Sequence, residues 1–242
     1  MNQILPQNKE INISPIKAFK DNYIWLVLEK NNGVIIDPGD AKPVLKELEK
    51  RNINLVSILI THNHFDHVGG VEELIINYPD VQIFAPNNIK FKFRHSIVKE
   101  GDVISISKTA IKFYVIETPG HTLDHIVFAD KNHLFCGDTL FACGCGKLFE
   151  GTYSDMFRSL SKISSLSPNT KVYCAHEYTK ENIKFALSID TNNYKLSERS
   201  KRLKNIEITI PSMLKEELET NPFLRVKTSE EFKLIRKKKD EF

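Results

Sequence analysis

Short apolar runs separated by polar turns recur to about residue 175, and helical spacing interrupts them. Runs at 23–28, 34–37, 55–61, 82–85, 103–106 and 111–117 have strand length and are rich in β-branched and aromatic residues. Shorter runs at 133–136 and 172–174 read the same way. Between them, 41–51 places Val44, Leu45 and Leu48 on one helical face, and Val71, Leu74, Ile75 and Tyr78 recur at helical spacing. Beyond 174 only the short run 206–210 suggests a further strand, while Thr179, Ser212 and Ser229 are expected as N-caps of the helices that follow them. A chain of 242 residues accommodates one large α/β (α+β) domain with a helical appendage, and the pattern places the boundary between 1–175 and 176–242.

The loop after the 55–61 run reads Thr61-His62-Asn63-His64-Phe65-Asp66-His67-Val68-Gly69-Gly70. No packing requirement explains His62, His64, Asp66 and His67 crowded into six positions. Three imidazoles and a carboxylate are donors that zinc prefers, and a loop between strand and helix holds them firmly. Other strand ends repeat the context: His121 follows the 111–117 run, Asp138 follows 133–136, and His176 follows 172–174. Each alone would read as a turn former or cap; together with the loop they make five histidines and two aspartates in one structural setting. The remaining histidines of the eight, His95, His125 and His133, are expected to be structural, although His125 lies four residues after His121 and could orient a ligand.

The pattern His62-x-His64-x-Asp66-His67, then His121, Asp138 and His176, resembles that of the metallo-β-lactamase superfamily. Further segments are similar to the glyoxalase II, or hydroxyacylglutathione hydrolase, family: Gly144-Cys145-Gly146-Lys147, Glu150-Gly151-Thr152, His176-Glu177-Tyr178-Thr179 and Asn221-Pro222-Phe223-Leu224-Arg225. The resemblance implies a four-layer αββα sandwich carrying the catalytic site over 1–175 and a helical substrate-binding domain over 176–242. It implies two divalent metal ions, zinc before iron or manganese. His62, His64 and His121 would hold one and Asp66, His67 and His176 the other, with Asp138 shared. A hydroxide bridging the ions would attack the thioester carbonyl of an S-(2-hydroxyacyl)glutathione such as S-D-lactoylglutathione, the second step of methylglyoxal detoxification, with Asp66 orienting it. Lys147, Phe149, Tyr178 and Arg225 would meet the glutathione part, Arg225 pairing a carboxylate through its planar fork. Phe149 stands where the family often has tyrosine, and a lost hydroxyl contact costs about 0.5–1.5 kcal/mol. Lys227 is a further basic candidate. Asp37, in the turn Asp37-Pro38-Gly39, would accept a hydrogen bond from the metal loop and would not bind metal itself.

Composition narrows the setting. A net charge of +3, concentrated in Lys201-Arg202-Leu203-Lys204 and Arg236-Lys237-Lys238-Lys239, reads first as solvated helix faces and is too mild for a nucleic-acid binder; the anionic substrate that the resemblance implies is a third reading. The first residues lack a signal-peptide pattern and no apolar run approaches the roughly 20 residues of a membrane span. A cytoplasmic monomer without membrane or nucleic-acid partners is therefore expected. Cys136, Cys143, Cys145 and Cys174 are read as free thiols, and their nearness to the metal residues suggests sensitivity to oxidants. The alternative enzyme is a phosphodiesterase or nuclease of the same superfamily, which leaves the Gly-Lys loop and the Asn-Pro-Phe-Leu-Arg segment unexplained. A persulfide dioxygenase would need a single iron, and a metal-dependent binding module would turn over no thioester.

Overall fold

The run 23–28 is apolar at successive positions because both of its faces are covered. In the computed structural model, which describes residues 5–8, 10–88 and 90–242, the chain begins with β1 (Asn12–Ala18), β2 (Asn22–Glu29), β3 (Asn32–Ile36), α1 (Ala41–Lys50) and β4 (Asn54–Leu59). It continues through α2 (Phe65–Val68), α3 (Val71–Asn77), β5 (Gln82–Ala85), β6 (Ser96–Ile97), β7 (Val103–Ser105) and β8 (Lys112–Glu117). Next come β9 (Ile126–Ala129), β10 (His133–Gly137), β11 (Leu140–Phe141), β12 (Gly144–Cys145), α4 (Tyr153–Ser164) and β13 (Lys171–Cys174). The last part holds α5 (Thr179–Ile189), α6 (Tyr194–Leu203), β14 (Ser212–Met213), α7 (Leu214–Thr220), α8 (Pro222–Arg225) and α9 (Ser229–Glu241).

Two six-stranded sheets, ordered β1-β2-β3-β4-β5-β6 and β14-β13-β10-β9-β8-β7, stack face to face. Alternation along β2 sorts its side chains between two cores. Ile24 and Leu26 pack with Ile35, Ile58 and the buried face of α1 and α3 (Val44, Leu48, Val71, Leu74). Trp25 and Val27 join Val34, Ile36, Phe113, Val115 and Phe135 between the sheets, in a core that extends to Met156, Leu160 and Ile163 of α4. Helices thus cover the outer faces, in the four layers that the resemblance implies. The parallel strands β3, β4 and β5 all run toward the same edge, so the loops leaving them gather there.

The helical part is anchored by polar groups. Glu217, fully buried, accepts from Arg199 Nη2 at 2.5 Å and from the Cys143 backbone N–H at 2.7 Å. Asn221 donates to the carbonyls of Phe141 and Gly144, and Arg236 donates to that of Cys145. The β11–β12 hairpin is thereby held among the C-terminal helices, and removing one partner of such a buried pair costs about 3–5 kcal/mol. Phe223 and Phe232 insert into the main core. All four cysteines are free and buried, and burial pushes the Cys145 thiol up to about 11 and those of Cys143 and Cys174 up to about 12. The expected oxidant sensitivity does not follow, since thiolates are the reactive form.

Other expectations shift. Residues 206–210 form no strand; β14 pairs with β13 just after them. Each expected N-cap is one residue off, Thr179 and Ser229 late and Ser212 early: Tyr178, Met213 and Thr228 hold those positions, and only Thr228 caps with its side chain. Strand β1 escapes the pattern because it is an edge strand, where Pro15 is tolerated and half-burial blurs the alternation. Among the described residues no helix is long and apolar enough to cross a membrane.

Candidate metal centre

Four chain segments deliver donors to one edge of the sandwich. The loop after β4 carries His62 and His64, and the short helix α2 turns Asp66 and His67 inward from it. Its path is set by a close approach: a Cβ on Gly39 would lie 1.9 Å from the Asp66 carbonyl oxygen, which accounts for the glycine in Asp37-Pro38-Gly39. His121 follows β8, Asp138 follows β10, and His176 follows β13. Gly137 has φ +46°, and a Cβ there would meet Thr61 Oγ1 at 2.4 Å, so only glycine brings Asp138 into line.

The donors fall into two triplets, His62–His64–His121 and Asp66–His67–His176, and a third group, His62–His67–Asp138, overlaps both; ligand atoms in each lie within 4.8 Å of one another. His64 Nδ1 lies 3.1 Å from His62 Nε2 and 2.9 Å from His121 Nε2. Asp66 Oδ2 lies 3.5 Å from His67 Nε2 and 3.4 Å from His176 Nε2. Asp138 spans them: Oδ1 is 3.4 Å from both His67 and His176, and Oδ2 is 3.4 Å from His121. Ligands about 2.1 Å from a tetrahedral ion are separated by about 3.4 Å, so the second triplet already has coordination spacing. His67 Nε2 and Asp138 Oδ1 are buried without a hydrogen-bond partner. Such orphaned atoms are costly unless something binds them. The donor set fits two divalent cations sharing a carboxylate.

Charge points the same way. Burial disfavours the charged form of Asp138, but His67 and His176 outweigh it and hold the carboxyl well below its usual range. Asp66 is likewise lowered, burial being overcome by the neighbouring His176 and the charge of His67. His176 rises to about 10 against burial, through the nearby carboxylates of Asp138 and Asp66 and its hydrogen bond to Asp21. His67 is raised by Asp138 and Asp37, again against burial. His62 is lowered by burial and by His67 and His125. Protons on His67 and His176 thus fill a demand for positive charge that cations would meet.

Partners behind the donors set which nitrogen faces the site. His121 Nδ1 donates to the Lys147 carbonyl at 2.7 Å, His67 Nδ1 to Asp37 at 3.0 Å and His176 Nδ1 to Asp21 at 2.9 Å. His62 Nδ1 reaches Thr61 Oγ1 at 3.0 Å, whose hydroxyl donates to Asp37 at 2.7 Å. Each of these rings therefore presents Nε2. Asp37 also accepts from the Thr61 N–H, in the loop-holding position expected of it. Asn22 donates to Asp66 Oδ2 at 2.8 Å. His125, expected to be structural, accepts from the Asp138 N–H at 3.2 Å and stacks on His62, so it holds two donors in place. Asp21 and Asn22 went unread in the sequence: they look like ordinary turn residues, and their partners lie far along the chain.

Of the expected substrate residues, three border the donors. Phe149 packs edge-on against His64 and His121, with Lys147 Nζ 5.9 Å from its ring centroid. Tyr178 stacks on His176 at 4.7 Å and lines a cleft of about 510 Å³ with Asp21 and Asn22. Arg225 instead pairs with Asp190 and lines a separate hollow of about 410 Å³ with Pro222 and Glu231. The Lys227 N–H donates to Glu231, in the turn that caps α9.

Residues 19–176 match the family model described as the metallo-beta-lactamase superfamily, and residues 177–242 match that of the hydroxyacylglutathione hydrolase C-terminus. The chain is 45% identical over 219 residues to the hydroxyacylglutathione hydrolase of Nitrosomonas eutropha, covering 89% of this chain and 86% of that protein. The chain belongs to the hydroxyacylglutathione hydrolase family. Another relative from this family, in Methylobacillus flagellatus, is 46% identical over 217 residues, 88% of this chain and 86% of its own length. Among solved structures, ETHE1 from Myxococcus xanthus superposes with a TM-score of 0.71 at 23% identity, over 94% of this chain and 89% of its own. TTHA1623, solved in a di-iron-bound form, superposes at 0.61 and 23% identity, over 87% of this chain and all of its own. These two support the fold that hydroxyacylglutathione hydrolases share with their superfamily.

Proposed function

We propose that this chain hydrolyses S-(2-hydroxyacyl)glutathione thioesters, typically S-D-lactoylglutathione, to glutathione and a 2-hydroxy acid. The observation that carries the reading is the pair of donor triplets joined through Asp138, in a chain of this family. His62, His64 and His121 would hold one divalent cation and Asp66, His67 and His176 the other, with Asp138 common to both; zinc is the metal we favour over iron or manganese. Such cations supply Lewis acidity to a carbonyl oxygen and make water nucleophilic near neutral pH. Asp66, half-exposed and steadied by Asn22, orients the attacking water. Thiolate is a stable leaving group, so no general acid has to be found. Lys147 offers an ammonium beside Phe149 for an anionic end of glutathione, and the Tyr178 ring walls the cleft. Arg225 can take a substrate carboxylate only by exchanging Asp190 for it. In this division 1–175 supply most of the metal donors and 176–242 supply His176 and the substrate arm. A cytoplasmic monomer suits a substrate built on an intracellular thiol.

The test is thiol release from S-D-lactoylglutathione by the metal-loaded protein. Turnover should vanish on chelation and return with zinc. Absence of turnover at two metals per chain would refute the reading, and hydrolysis of a phosphodiester in its place would favour the nuclease alternative.

A further inference from the structure

Two phenylalanines with no part in the chemistry above stand in solvent beside the metal donors. Phe19 is 54% exposed and Phe65 74% exposed, with ring centroids 6.5 Å apart. Single apolar side chains on a surface are ordinary, whereas two large aromatic rings meeting across separate loops form a patch that asks for a partner. Phe19 has φ +49° in the turn between β1 and β2, a conformation that bulky residues seldom adopt. The same turn supplies Asp21 to His176 and Asn22 to Asp66, so Phe19 is tied rigidly to the donors. Phe65, the first residue of α2, lies between His64 and Asp66.

Position separates this pair from Phe149. Phe149 packs on His64 and His121, in the first triplet, and has Lys147 beside it. Phe65 immediately precedes Asp66 in the chain and meets Phe19, and Phe19 lines the 510 Å³ cleft with Tyr178, Lys17 and Lys20. A thioester whose carbonyl reaches the donors has two arms. The arm with anionic ends suits the ammonium of Lys147, whereas the uncharged acyl arm suits the two exposed rings of Phe19 and Phe65.

We propose that Phe19 and Phe65 form an acyl-binding rim that sets preference among thioesters by the size and apolarity of the group on the 2-carbon. The inference rests on the thioester-hydrolase reading. A methyl group is too small to cover both rings, whereas a phenyl group can lie against them.

The experiment compares S-D-lactoylglutathione with S-D-mandeloylglutathione, which replaces methyl by phenyl, on the zinc-loaded full chain and on F19A, F65A and the double variant. Both side chains are exposed, and circular dichroism and metal content check that folding and loading persist. The double variant should lose about tenfold in kcat/KM for the mandeloyl ester and stay within about twofold for the lactoyl ester. An unchanged ratio, or equal loss on both esters, would overturn the rim while leaving the hydrolase reading intact. A wild-type chain inactive on both esters would overturn the hydrolase reading and the rim with it.

Discussion

Replacing Asp21 by alanine removes the acceptor behind His176 without touching a metal donor. The Nδ1–H of His176 then loses its 2.9 Å bond, and the ring is free to turn. A hydrogen bond to a charged group contributes about 1.5–3 kcal/mol. Because the Asp21 side chain is 29% exposed, solvent screens it and the lower figure applies. About 1.5 kcal/mol corresponds to about tenfold in affinity, the low end of what such partners contribute to metal binding. Zinc binding to the Asp66–His67–His176 triplet should therefore weaken about tenfold, with the His62–His64–His121 triplet unaffected. Equilibrium dialysis against zinc buffered by a competing chelator resolves the two steps. Activity of D21A should fall at limiting zinc and return at saturating zinc, and D21N, whose amide oxygen still accepts, should recover part of the affinity. Equal weakening of both steps, or of neither, would refute the assignment of Asp21 to one triplet.

In the metal-free chain His67 is raised and His176 rises to about 10, so both carry protons at pH 7 that metal must displace. Zinc affinity should climb as pH rises toward 10, and calorimetry at pH 7 in buffers of different ionisation heat should show proton release; none would contradict the charge analysis. With Cys145 at about 11, roughly one thiol in a thousand is ionised at pH 8, and iodoacetamide should leave the native chain unmodified yet label all four cysteines in denaturant. Arg225→Ala should raise KM more than it lowers kcat if the guanidinium leaves Asp190 for substrate; unchanged KM would confine Arg225 to its ion pair.

The strands β2, β3, β4, β5 and β8 were legible because each is a buried apolar run bounded by turn residues. Helix α1 was legible because Val44 and Leu48 repeat on one face. Strand β9 was not: four residues between His125 and Asp130 are too few to show a period. The caps at 178, 213 and 228 were misplaced because neighbouring residues compete for the role, and the choice depends on where the preceding strand or loop ends.

The metal loop could be read from sequence alone because its donors are crowded beyond any packing need, and His121, Asp138 and His176 because each repeats the strand-end setting. Those signals are local, carried by spacing and by the chemistry of the residues themselves. Tertiary structure decided what single polar residues do. Asp21 and His176 are separated by 155 positions, His125 turns out to hold the Asp138 backbone, and Arg225 faces Asp190. An isolated aspartate or histidine looks the same in sequence whether its partner is water or an imidazole across the fold. Only the stacking of the two sheets, which brings the ends of β4, β8, β10 and β13 to one edge, determines which it meets.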